Sequence, residues 1–144
     1  MEHSRALQIL SWQHKEDRLK CREFLRDIQQ QRDKASIRQR IVQFWKNELQ
    51  KHVDAEEAIL FPFLLKHQFP YNFMNILKRE HETIRLLAER LNRNDEDYYL
   101  YSAFIKLVDQ HSHFEDEFIF KKMEEDIPQQ DLSQLNVSLA AVSK

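Results

Sequence analysis

Two ten-residue stretches of the chain set a histidine four positions before a glutamate. Residues 52–61 read HVDAEEAILF and residues 111–120 read HSHFEDEFIF, so both fit H-x-x-x-E-(E/D)-x-apolar-apolar-F, with their histidines 59 positions apart (111 minus 52). On a helix, residues i and i+4 share a face and lie about 6 Å apart along the axis, so an imidazole and a carboxylate converge on one point in each copy. Two such points facing each other carry the donor chemistry of a metal pair.

Positioning them requires helices, and the composition favours helices throughout. The chain has no glycine in 144 residues, whereas average usage would give about ten, which removes glycine-dependent hairpins and phosphate loops. A 3.6-residue period marks four segments. The first, from about 3 to 30, carries Leu7, Leu10, Cys21, Leu25 and Ile28, with His14 on the same stripe. In the second, from about 36 to 66 with Ser36 as N-cap, the stripe is Ile41, Trp45, Leu49, His52, Glu56, Ile59 and Phe63, and Pro62 is expected to kink its end. The third, from about 72 to 92, carries Met74, Leu77, His81, Ile84, Ala88 and Leu91. The fourth, from about 96 to 124, carries Phe104, Leu107 or Val108, His111, Glu115, Phe118 and Lys122 or Met123. These make residues 1–127 an all-α, up-down-up-down antiparallel four-helix bundle, with 128–144 a C-terminal tail or short helix.

The histidines test that architecture. Two residues at one height in an antiparallel hairpin are equidistant from its turn. The midpoint of His14 and His52 is 33, inside QQQRDKAS, and that of His81 and His111 is 96, inside NRNDED. Each helix therefore presents a histidine at one level.

A lone histidine or glutamate on an apolar stripe is more often a hydrogen-bonded core residue than a ligand. Six ionisable groups at one depth cannot satisfy one another without strain, and the convergence of His14, His52, Glu56, His81, His111 and Glu115 points to metal. Imidazole and carboxylate without thiolate suit iron, manganese or zinc, and two carboxylates among four histidines suit a pair of octahedral-leaning ions. Two iron ions bridged by Glu56, Glu115 and an oxo or hydroxo group fit best. His113, rotated about 200° from His111, is assigned with His3 and His67 to solvent or the rim, and Cys21 to the core. Glu48 and Arg85 are candidates for orienting ligands.

These residues resemble the hemerythrin-like, or HHE cation-binding, domain family: His14 alone on the first helix, His52-x-x-x-Glu56 followed by Glu57 and Leu60-Phe61-Pro62, Glu80-His81, and His111-x-x-x-Glu115. The resemblance covers about residues 10–124 and implies a non-haem di-iron bundle. Invertebrate-type members carry a fifth histidine one turn from the third-helix ligand, where this chain has Leu77 and Arg85. The four-histidine, two-glutamate set is more similar to the di-iron domain of repair-of-iron-centres proteins, whose cysteine-bearing N-terminal extension has no counterpart here.

The expected function is binding or sensing of dioxygen, nitric oxide or redox state at the irons. The alternatives are an enzyme that reduces nitric oxide or peroxide or donates iron for iron-sulfur cluster repair, and a structural bundle holding zinc or no metal. No separate catalytic residue stands out. Charged residues make up 32% of the chain and leave a formal net charge of −2, with basic residues interleaved among acids, so nucleic acid is not expected as a partner. One cysteine, no span-length apolar run and a polar start MEHSRALQ give a cytoplasmic expectation without a membrane partner.

Overall fold

A computed structural model describes residues 7–93 and 97–142. His3, the turn of helix expected from residue 3 and the centre of the NRNDED loop lie outside the described residues. Among those described the regular structure is entirely helical: α1 (Gln8–Gln29), α2 (34–66), α3 (Tyr71–Asn92), α4 (98–126) and α5 (Gln129–Val142). No helix among them is long and apolar enough to cross a membrane.

Turn chemistry sets the ends of these helices. Asp33, not Ser36, caps α2: its carboxylate accepts from the Ser36 backbone N–H at 2.9 Å. An ionised side chain ahead of the first turn satisfies an orphan donor and complements the helix dipole, which places the cap three residues earlier. Asp97 caps α4 by accepting from Tyr99 N at 2.9 Å. At the far ends of α1 and α2, Gln31 and Gln68 take left-handed φ values of 52° and 56°. Each is followed by a bond that closes the helix, Arg32 N to Asp27 O at 3.1 Å and Phe69 N to Leu64 O at 3.0 Å. That is the Schellman arrangement, formed in a chain that has no glycine to offer.

Contacts between successive helices run in opposite senses. From α1 to α2 they pass from His14 and Glu56, through Asp17 and His52, to Asp27 and Arg40. Between α2 and α3 they pass from Glu57 and His81 to Arg38 and Leu91 O. Neighbours are thus antiparallel, compatible with the up-down-up-down bundle. Beyond Pro128 the chain forms α5, whose Leu132, Leu135 and Leu139 join Leu7, Leu10, Leu60 and Leu64 in one apolar cluster.

Two helices are not purely α-helical. Within α2, residues Trp45–Leu49 and Glu56–Leu60 form π turns, and within α4 so do Glu115–Ile119. A π turn holds an extra residue, closing Phe61 N–H onto Glu56 O and Phe120 N–H onto Glu115 O. From within the turn onward, it moves the side chains back around the axis by up to about one residue. Consequently Phe118, expected inside, is exposed, and Ile59 and Phe63 are only half-buried, while Leu60, Phe61, Leu64, Ile119 and Phe120 line the core. In α3, which has no π turn, Met74, Leu77, His81, Ile84, Ala88 and Leu91 are all buried. Pro62 lies in the first turn of the α-helical stretch Phe61–Lys66 that follows the Glu56–Leu60 turn.

The core has two apolar clusters. One contains Leu10, Leu60, Leu77, Ile119 and Phe120, and the other Cys21, Val53, Ile84 and Val108. On every bundle helix a metal-type residue falls between a member of the first and a member of the second: His14 between Leu10 and Cys21, Glu56 between Val53 and Leu60, His81 between Leu77 and Ile84, and His111 with Glu115 between Val108 and Ile119; His52 instead lies between Leu49 and Val53, both of the second.

Candidate metal centre

Buried polar side chains meet in this layer. Glu56 Oε1 is 2.9 Å from His81 Nε2 and 3.4 Å from His111 Nε2, while its Oε2 is 3.6 Å from His14 Nε2. Glu115 Oε1 is 2.8 Å from His111 Nε2 and 3.3 Å from His14 Nε2. Two overlapping groups result, Glu56 with His81 and His111, and Glu56 with His14 and Glu115, each with its donor atoms within 4.8 Å of one another. Five of the six expected ligands are in them. His52 is in neither; it is half-buried and lines a cavity of about 20 Å³ with His14, Asp17, Glu56 and His111, roughly the room of one water-sized group.

The outward nitrogen of each imidazole meets a carboxylate. His14 Nδ1 is 3.2 Å from Asp116 Oδ1, His52 Nδ1 is 3.0 Å from Asp17 Oδ2, His81 Nδ1 is 2.9 Å from Glu57 Oε2, and His111 Nδ1 is 2.8 Å from Glu80 Oε1. An imidazole donating from Nδ1 leaves a lone pair on Nε2, the tautomer a metal requires. Rings of the same motifs fix the planes: Phe120 stacks on His14 with centroids 5.2 Å apart, and Phe61 lies against His81 at 4.9 Å.

The donor set fits a cation. With both Nδ1 atoms engaged, the Nε2 lone pairs of His81 and His111 confront each other at 3.2 Å. Both Glu115 oxygens are buried with no aligned hydrogen-bond donor, despite the short distances to imidazole. Such a group is costly unless a positive charge faces it. In the metal-free protein, protons take that role. For His14 burial is the largest influence and lowers the pKa, but Asp116, Glu115 and Glu56 together hold it well above 6.5. His111 is likewise raised well above 6.5, burial being outweighed by Glu115, Glu56 and Glu80, and His81 is raised chiefly by Glu56 against burial. Burial would raise Glu56, yet His111, His14 and His81 hold it well below 4.5.

The other expected positions separate cleanly. His113 is exposed, and His67 packs on Phe63 near Asp131 at the rim. Cys21 is a buried free thiol whose pKa burial pushes up. Glu48 does not reach a histidine, because Lys20 takes its carboxylate. Arg85 touches Glu57 and Asp54 instead of an imidazole. The four carboxylates that do orient imidazoles were not foreseen. Glu57 and Asp116 were visible as the second acidic position of the repeated motif, and Glu80 as the neighbour of His81; Asp17 left no such signal.

A helical bundle with a buried histidine–glutamate layer defines a cation-binding class of protein. The model of the hemerythrin HHE cation binding domain matches residues 5–123, and the chain belongs to that family. No curated protein and no solved structure matches it.

Proposed function

We propose that this hemerythrin-like protein holds two irons and binds or senses a small ligand, dioxygen or nitric oxide, or their redox state. His14, His52, His81 and His111 would be terminal ligands, and Glu56 and Glu115 bridging ones. The observation that carries this reading is the division of Glu56: one oxygen faces His81 and His111, and the other faces His14. A carboxylate shared in this way suits two ions better than one. Bound iron would supply a redox-active centre that accepts small ligands.

The chain contributes orientation and exclusion of water. Asp17, Glu57, Glu80 and Asp116 hold the imidazoles with Nε2 inward, and Leu49, Val53, Ile84 and Val108 form apolar walls of the small cavity. Its volume of about 20 Å³ favours a ligand of one or two heavy atoms over an organic substrate. The alternative is an enzyme that reduces nitric oxide or peroxide or releases iron. The proposal keeps the protein in the cytoplasm.

Elemental analysis and an absorption spectrum of freshly purified protein test the proposal. Two irons per chain with near-ultraviolet bands of a bridged pair are expected. One metal per chain, or zinc alone, overturns it, and sustained turnover of nitric oxide or peroxide with a reductant would replace sensing by catalysis.

A further inference from the structure

Of the four carboxylates that orient imidazoles, two also carry an arginine. Arg85 Nη2 is 3.0 Å from Glu57 Oε1 and its Nε 3.3 Å from Glu57 Oε2, the oxygen that faces His81 Nδ1. Arg18 Nη2 is 2.7 Å from Asp116 Oδ2, and the other oxygen of that carboxylate faces His14 Nδ1. Among the described residues no arginine or lysine pairs with Asp17 or Glu80, whose ion pairs are to His52 and His111. The arginine-bearing pairs are distributed one to each ligand group: His14 with Glu56 and Glu115, and His81 with Glu56 and His111.

This distribution has an electronic consequence. A carboxylate that accepts from Nδ1–H draws on that proton and enriches the Nε2 lone pair, strengthening the imidazole as a donor. A guanidinium on the same carboxylate competes for its charge, through two hydrogen bonds at Glu57 and through an ion pair without an aligned hydrogen bond at Asp116, so less reaches the imidazole. Both ion pairs are partly shielded, with side-chain exposures of 21% and 16% for Arg18 and Asp116 and 35% and 37% for Arg85 and Glu57. Solvent screening therefore reduces the effect without removing it.

We infer that Arg18 and Arg85 are tuning residues: acting through Asp116 and Glu57, they weaken His14 and His81 as donors and raise the reduction potential of the metal pair. His52 and His111 are left as the stronger imidazole donors, one in each half. The inference rests on the iron reading above. It also gives the protein an adjustable element outside the ligand set, because anything that draws either arginine away lowers the potential.

The experiment compares wild type with Arg18→Gln, Arg85→Gln, Arg18→Lys and Arg85→Lys, measuring iron content and midpoint potential by spectroelectrochemistry. Each glutamine variant should keep its iron and favour the ferric state about tenfold more, about 59 mV lower for a one-electron couple. Each lysine variant keeps the charge, Arg85→Lys losing its fork on Glu57, and should stay near wild type. Zinc titration of the same variants gives a redox-independent reading, with several-fold tighter binding expected in the glutamine variants. Unmoved potentials in iron-loaded glutamine variants overturn the inference, as does weaker zinc binding in both glutamine and lysine variants, which marks a merely structural role. A wild-type protein that loads no iron pair sinks the iron reading itself, a result visible before any variant is compared.

Discussion

Asp116 on α4 reaches across to His14 on α1, its Oδ1 lying 3.2 Å from Nδ1, and this contact closes a ring. Asp17 of α1 holds His52 of α2, Glu57 of α2 holds His81 of α3, and Glu80 of α3 holds His111 of α4. Each helix from α1 to α4 thus carries one of the four imidazoles and gives one carboxylate to a neighbour's imidazole. The repeated motif gains a physical reading from the ring. In both copies the residue after the motif glutamate and the closing phenylalanine act on the same histidine: Glu57 and Phe61 on His81, Asp116 and Phe120 on His14.

Removing a member of the ring should loosen metal without unfolding the chain. Asp116→Ala and Glu57→Ala are expected to lower metal affinity by about 10–100-fold, the usual effect of losing a partner that orients an imidazole ligand. Chelator competition measures it, with the exposed Glu82→Ala as the unaffected control. Wild-type affinity in both ring variants would leave the ring without a role in binding.

His111→Ala should empty the site and His113→Ala should not. His111 is buried with its Nε2 beside Glu56, Glu115 and His81, whereas His113 is exposed. Metal content of the two purified variants decides the matter, and a loaded His111 variant beside an empty His113 variant would reverse the assignment.

His111 was separable from His113 by helical phase alone because it precedes the π turn of its helix. Phe118 was misplaced because it lies within that turn, as Ile59 lies within the one that begins at Glu56 and Phe63 just beyond it. The 3.6-residue period carries no mark of an inserted residue, so phase slips by about one position beyond each: after the Trp45–Leu49 turn Val53 is buried and the expected His52 only half-buried, although Glu56 stays inside. The level of the histidines survived because the midpoint argument depends on height along the bundle, not rotation. The Asp17–His52 contact was unreadable in advance: it joins residues 35 apart in sequence on two helices, and nothing in either helix's own pattern signals it.

Gln31→Gly and Gln68→Gly should each stabilise the protein. Both glutamines sit at φ values near +55°, 52° and 56°, where a Cβ costs about 1 kcal/mol that glycine does not incur. Thermal or urea unfolding of single variants would read this as a higher midpoint. A lower midpoint would mean that the glutamine side chains contribute more than the backbone strain removes.

Metal-free protein should be most stable at mildly acidic pH. The folded-state pKa values of His14, His81 and His111 are raised above 6.5, so their contribution is fully present below about 6.5 and is lost as pH rises through the folded values. Glu56 is lowered below 4.5, so its contribution is present above about 4.5 and is lost as pH falls through its folded value. Chelated protein should therefore unfold at lower denaturant at pH 8 than at pH 5.5, while metal affinity rises over the same interval because binding displaces the imidazole protons. Stability of the chelated protein that climbs from pH 5.5 to pH 8 would contradict the protonated layer.

Reduced, iron-loaded protein is expected to react with dioxygen or nitric oxide without storing dioxygen reversibly over many cycles. The positions one turn to either side of His81 hold no further imidazole: Leu77 is fully buried in the apolar core, and Arg85 is occupied by Glu57 and Asp54. With His52 joining His14 as proposed, each ion would have Glu56 and two imidazoles from its own half of the chain, and neither would be closed by an extra donor. Dioxygen then has no single protected position from which to leave unchanged, and electron transfer to it should leave the irons oxidised. Alternating air and argon over the reduced protein, with the absorption spectrum followed throughout, measures the outcome. Accumulation of the oxidised spectrum within the first cycles is expected, and full return of the reduced spectrum through several cycles without added reductant would show that four histidines suffice for carriage.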